Sequence, residues 1–98
     1  MKATLISRTR IVIATDRFAE MVLWRLPVAM QGSAYHFKYR LAFVVRGKCV
    51  LRYDNESGKG DHRHWRGKQY DYAFSTPEQL VADFQHDIAR WNDEDRRS

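Results

Sequence analysis

The sequence predicts an α+β fold: an antiparallel sheet of about five strands packed by one C-terminal helix. Three observations carry that expectation. Up to Phe74 the apolar residues recur mostly at every second position, in runs separated by short turn signals. From Leu80 onward they recur at helical spacing, as Leu80, Val81, Phe84, Ile88 and Trp91. Between the two regimes stands Thr76-Pro77-Glu78-Gln79, which reads as a capping box with Thr76 at the N-cap, proline at the first helical position and Gln79 reaching back.

Each element follows from its own pattern. Lys2 to Ala14 alternates small or apolar residues with polar ones, ends in a β-branched run, and meets a turn at Thr15-Asp16. The chain then returns through "RFAEMVLWRLP". Phe18, Glu20, Val22 and Trp24 share one side of this strand, Ala19, Met21, Leu23 and Arg25 the other, and Pro27 closes it because proline cannot donate to a ladder. "VAMQGSAY", uncharged and containing Gly32, reads as a loop. The next strand, "HFKYRLAFVV", sets Phe37, Tyr39, Leu41, Phe43 and Val45 on one face, so Lys38 and Arg40 point together to the other. Arg46-Gly47 forms a tight reversal into "KCVLRYD", which aligns Cys49, Leu51 and Tyr53 on one side and Val50, Arg52 and Asp54 on the other. Arg52 thereby joins Lys38 and Arg40. "QYDYAF", residues 69–74, is the fifth strand. The helix is expected to run about 14 residues from Pro77, with Asp83, His86 and Asp87 outward and a charged tail, Asn92 to Ser98, that frays.

Ninety-eight residues with 44% hydrophobic content suit one domain spanning residues 1–98. One cysteine, Cys49, permits no internal disulfide, fits a small core residue, and makes a reducing, cytoplasmic setting the expectation. The apolar run at Leu5-Ile6 is cut by Ser7, Arg8 and Arg10, too short for a signal or membrane segment. Net charge is +5, distributed unevenly. Residues 1–35 hold five basic and two acidic side chains, residues 36–70 nine and three, and residues 71–98 three and seven, or +3, +6 and −4. A basic middle with an acidic end fits a protein with one face for a polyanion, and equally a protein whose charges are simply solvated.

The chemistry-bearing stretch is "LRYDNESGKGDHRHW", Leu51 to Trp65. Gly58 and Gly60 bracket Lys59, so the backbone can take positive φ and present N–H groups to a phosphate beside a cation, or simply form a polar turn. In an extended segment His62 and His64 share one face and Asp61 and Arg63 the other. Two adjacent imidazoles suit acid/base work on a phosphodiester, with lysine or arginine stabilising developing charge. They also suit zinc, completed by Asp54, Glu56 or Asp61, or no chemistry at all.

"HFKYRLAFVVRGKCVLRYDNESGKGDHRH", preceded by "FAEMVLWRLP" and followed by "YAFSTPEQLVADFQHDI", closely resembles the TumE family of bacterial toxin–antitoxin proteins, from about Lys2 to Arg90. The resemblance implies a small toxin encoded beside a cognate antitoxin that carries a DNA-binding domain. It implies no established catalytic residue. The expectation is a protein that uses no organic cofactor and meets no membrane, with a homodimer left open. Small toxins of this kind most often act on RNA, so the expected activity is a ribonuclease. In that reading His62 and His64 are acid and base, and Asp54 or Glu56 orients a histidine or binds metal. Lys38, Arg40, Arg52, Lys59 and Arg63 hold phosphates, and Tyr53, with Tyr70 and Tyr72, stacks on bases. The alternative is a non-catalytic module that inhibits by occupying a nucleic acid or protein.

Overall fold

Each turn signal in the first three quarters of the chain folds the strand back on its predecessor, so the strands lie in the sheet in chain order. In the computed structural model, which describes residues 2–31 and 35–97, these are β1 Thr4–Ala14, β2 Arg17–Arg25, β3 Phe37–Val45, β4 Lys48–Glu56, β5 Gly60–Trp65 and β6 Lys68–Asp71. All five pairings are antiparallel. The helix α1, Pro77–Arg97, follows. Thr76 caps it as predicted: its hydroxyl accepts from the Gln79 N–H at 3.1 Å. Gln79 does not reach back, however, and its amide donates to Asp83 instead.

The expected α+β class holds, with six strands rather than five. The additional strand is β5, formed by the charged "GDHRHW", and it escapes an apolar-alternation rule because only Trp65 in it is hydrophobic. Its turn into β6 was legible, because Arg66-Gly67 repeats the Arg46-Gly47 hairpin: both arginines and both glycines have φ between 49° and 83°. The part of the loop between β2 and β3 that contains Gly32 lies outside the described residues.

One face of the sheet is closed by α1. Tyr39, Leu41, Phe43 and Val45 of β3 and Leu51 and Tyr53 of β4 pack with Trp65, Phe74 and the helix residues Leu80, Phe84 and Trp91. Fully burying a side chain such as Phe84 contributes about 1.5–3 kcal/mol, so this cluster is the main source of stability. Three sequence expectations are corrected on this face. Asp87 is not outward but 6% exposed, turned into the sheet. Cys49 is exposed instead of core, because a β-bulge between Phe43 and Val44 shifts the β4 register and leaves Val50 packed against the core. The tail does not fray at Asn92: α1 continues through it to 21 residues. Arg96 and Arg97 pair with Asp93 within the helix, while Arg17 and Arg46 hold Asp95 to the sheet.

Candidate functional site

Strand alternation sends every second residue of β2 to β5 away from the helix, and cross-strand register decides which of them meet. Arg40 lies opposite Asp54, and Asp54 lies opposite His62. One step along, Ala42 faces Arg52, and Arg52 faces His64. Lys38, Arg40, Arg52, Asp54, Glu56, His62 and His64 therefore share the helix-free face, as the sequence analysis expected for the three basic residues and for the histidine pair.

Arg52, Asp54 and His64 form the most closely built part of this face. Arg52 Nη2 lies 3.1 Å from His64 Nε2, and Asp54 Oδ1 lies 3.5 Å from the same nitrogen. A neutral imidazole protonated at Nδ1 accepts from Arg52 there, whereas a protonated one turns its Nε2–H toward Asp54. Arg52 Nε also stands 3.0 Å from Asp54 Oδ2, an ion pair in which the N–H misses the oxygen, so Nε is buried without a hydrogen bond. His62 is half-buried and makes no hydrogen bond or ion pair among the described residues.

Beside this cluster the sheet opens. The β3–β4 register ends at Arg40 and Asp54, and beyond it the buried Asn55 amide takes over the role of the ladder. It accepts from the Tyr39 N–H at 3.0 Å and donates to the Phe37 carbonyl at 2.8 Å. At this junction lies a cleft of about 460 Å³, walled by Val22 and Trp24 on one side and by Lys38, Arg40, Arg52, Asp54 and Glu56 on the others. Lys59, at the tip of the β4–β5 turn, is 72% exposed and pairs with Glu56 at 3.3 Å.

Tyr53 and Arg63 are placed elsewhere. Both point under the helix, where Asp87 Oδ2 accepts from Arg63 Nε at 2.5 Å and from the Tyr53 hydroxyl at 2.6 Å. Burial, then the bond to Asp87, raises the Tyr53 pKa well above the usual phenol range. Tyr72 is similarly tied to Asp83, and Tyr70 lies under the Arg63 guanidinium, so of the three tyrosines only Tyr70 is exposed. Asp61 also leaves the histidine face, accepting from the Tyr39 hydroxyl at 2.5 Å. Among the described residues no three His, Cys, Asp or Glu side chains are grouped to hold a metal ion.

Sequence reasoning missed Trp24 and Val22 as cleft walls and Asp87 as an anchor. The first two carried a signal, because the alternation of β2 already sets them on the face opposite Ala19, Met21 and Leu23. Asp87 carried none, since its partners are 24 and 34 residues away.

The family described as Toxin TumE matches residues 2–92. The chain therefore belongs to the TumE toxin family and is the toxin component of a toxin–antitoxin system, with a cognate antitoxin as its partner. No curated protein and no solved structure matches it. Among the described residues no helix is long and apolar enough to cross a membrane.

Proposed function

We propose that this TumE-family toxin binds single-stranded RNA across the helix-free face and cleaves it by acid/base chemistry at His62 and His64. The observation that carries the reading is the convergence of two imidazoles, Arg40, Arg52 and Asp54 on one open face, brought together from three strands. Residues two apart on a strand are separated by roughly 6.6 Å, which lets two imidazoles reach opposite sides of one phosphate. One takes the proton of the attacking 2′-hydroxyl and the other protonates the leaving 5′-oxygen, while Arg52 or Arg40 stabilises the negative charge that builds on phosphorus. Asp54 orients His64. Lys38 and Arg40 track the backbone, and Trp24 offers a stacking surface at the cleft wall.

The test is cleavage of a labelled single-stranded RNA by the purified toxin. His62→Gln and His64→Gln should each lower the rate by roughly 10²–10⁴-fold, and the wild-type rate should be indifferent to chelator. Arg40→Ala should flatten the dependence of RNA affinity on salt. A double His62→Gln/His64→Gln variant that stays folded and fully toxic rules the catalytic reading out.

The Arg52–His64 contact also favours a second reading. With Nε2 engaged by Arg52, His64 is held as a structural element of a basic surface, and the toxin inhibits by occupancy. That reading expects RNA retention without cleavage, and toxicity that follows Arg40 and Arg52 rather than the histidines.

A further inference from the structure

The two edges of the sheet are built differently. β6 is four residues long, reads KQYD, and presents Lys68 and Asp71 to solvent. β1 is 11 residues long, and Leu5, Ile6, Ile11, Val12 and Ile13 in it are all exposed, Val12 by 72%. No described strand lies beyond β1 in the sheet. A long apolar edge with unpaired N–H and C=O groups is a template for another strand, and proteins that leave one uncovered usually shield it with charge, proline or bulges. Here the register shifts fall only near the ends, between Leu5 and Ser7 and between Val12 and Ala14, and Ser7–Val12 between them pairs regularly with β2 and carries charge only as Arg8 and Arg10, both on one face.

Next to this edge, the helix-facing side of β1 and β2 is not closed by α1. Ile11 and Ile13, with Ala19 and Met21, form one bank of an apolar groove of about 170 Å³, and Phe84, Gln85 and Ile88 of α1 form the other. On the opposite side of the same strand stand Arg8 and Arg10. Arg10 pairs with Glu20 at 3.2 Å and lays its guanidinium over Phe18.

Charge selects the occupant. If a second copy extended the sheet by two-fold pairing through β1, same-face residues would oppose each other. A register centred on Arg8 sets Arg8 against itself, one on Thr9 sets Arg8 against Arg10, and one on Arg10 sets Arg10 against itself; registers centred on Ser7 or Ile11 avoid direct opposition but leave two Arg8 or two Arg10 as diagonal neighbours. Like charges directly opposed on a sheet are destabilising, and each copy carries a net charge of +5. A strand with carboxylates at those positions gains where a second copy loses. We propose that the Ser7–Val12 edge takes an extended segment of the cognate antitoxin. That segment alternates acidic side chains, facing Arg8 and Arg10, with apolar ones that seat in the groove. The proposal rests on membership in the toxin family and is independent of the RNA reading.

Hydrogen exchange on the toxin alone and in complex with the antitoxin tests it directly. The amides of Ser7–Val12 should slow by at least tenfold in the complex, and those of β6 should not change. An Arg8→Glu/Arg10→Glu variant should bind the antitoxin at least tenfold more weakly, while Lys68→Glu on the far edge should bind as wild type. Both arginines are exposed. Should the double variant misfold by circular dichroism, the exchange pattern of the wild-type complex decides alone. Protection confined to other elements overturns the proposal, as does undiminished affinity in a folded double variant. A dimer of the toxin by itself, with Ser7–Val12 already protected, overturns it in favour of a second copy.

Discussion

Asp61 and Arg63 point to one side of β5, and His62 and His64 to the other, yet the two pairs live under different physics. Below the helix charges are tied to partners: Arg63 to Asp87, Asp61 to the Tyr39 hydroxyl, and Arg17 and Arg46 to Asp95 at the helix end. Asp87 and Asp95 of the acidic C-terminal third are taken up in this way by arginines outside the helix. On the open face Lys38 and Arg40 have no acid within ion-pair distance among the described residues, and Arg52 shares Asp54 with His64. A low-dielectric interior penalises any unmatched charge, whereas a hydrated face tolerates a surplus. Among the described residues, Lys38 and Arg40 are thus cations without an acid partner on the face with room for a ligand.

Substitutions on the two faces should separate stability from activity, and the largest stability effect belongs to the closed face. Asp87→Ala strands the Arg63 guanidinium and the Tyr53 hydroxyl under α1, and should cost about 3–5 kcal/mol in urea unfolding. A loss below 1 kcal/mol means that water replaces the carboxylate and the interior is not dry. Alkali probes the same face. Tyr39, Tyr53 and Tyr72 are raised above their ordinary pKa of 10.0, first by burial and then by bonds to carboxylates. Below that value neither the folded nor the unfolded chain ionises them. Above it the unfolded chain loses protons that the folded one keeps, so stability should fall as pH rises through 10 and beyond, read as a dropping urea midpoint.

Smaller effects sharpen the comparison. Thr76→Ala removes the helix cap and should cost about 1 kcal/mol without changing RNA or antitoxin binding. At the far end of the helix, the bond from Arg17, with help from Arg46, holds the Asp16 carboxyl down at about 2, and Arg46 and Arg17 lower Asp95. This stabilisation is complete above the ordinary value of 3.8 and is lost as pH falls toward 2. Asp95→Asn should therefore remove part of the acid limb of a stability–pH curve, and should loosen the last turns of α1 in hydrogen exchange. Least of all, His62→Gln or His64→Gln should change stability by no more than about 0.5 kcal/mol, because the open face makes few packing demands. A loss of several kcal/mol from either would mean that the histidines hold the sheet together.

The sequence alone was enough to place the faces of β2 and β3 and the helix start, though not β5 as a strand or Cys49 on its bulged strand. Side chains alternate with period 2 on a strand, so Lys38, Arg40 and Arg52 had to point one way once their strands were recognised. The same local rule grouped His62 with His64 and set Asp61 and Arg63 against them. Thr76 and Pro77 marked the helix because capping is a contact across three residues. Only the tertiary structure decided which face the helix would cover, and with it the environment of each charged residue. Covering one face buried Arg63 and Tyr53 against Asp87, drew the tail into the helix through Arg17 and Arg46, and left the histidine face open beside Trp24. Those outcomes depend on partners 24 to 78 residues apart, and no periodicity in a single chain encodes which distant charges meet.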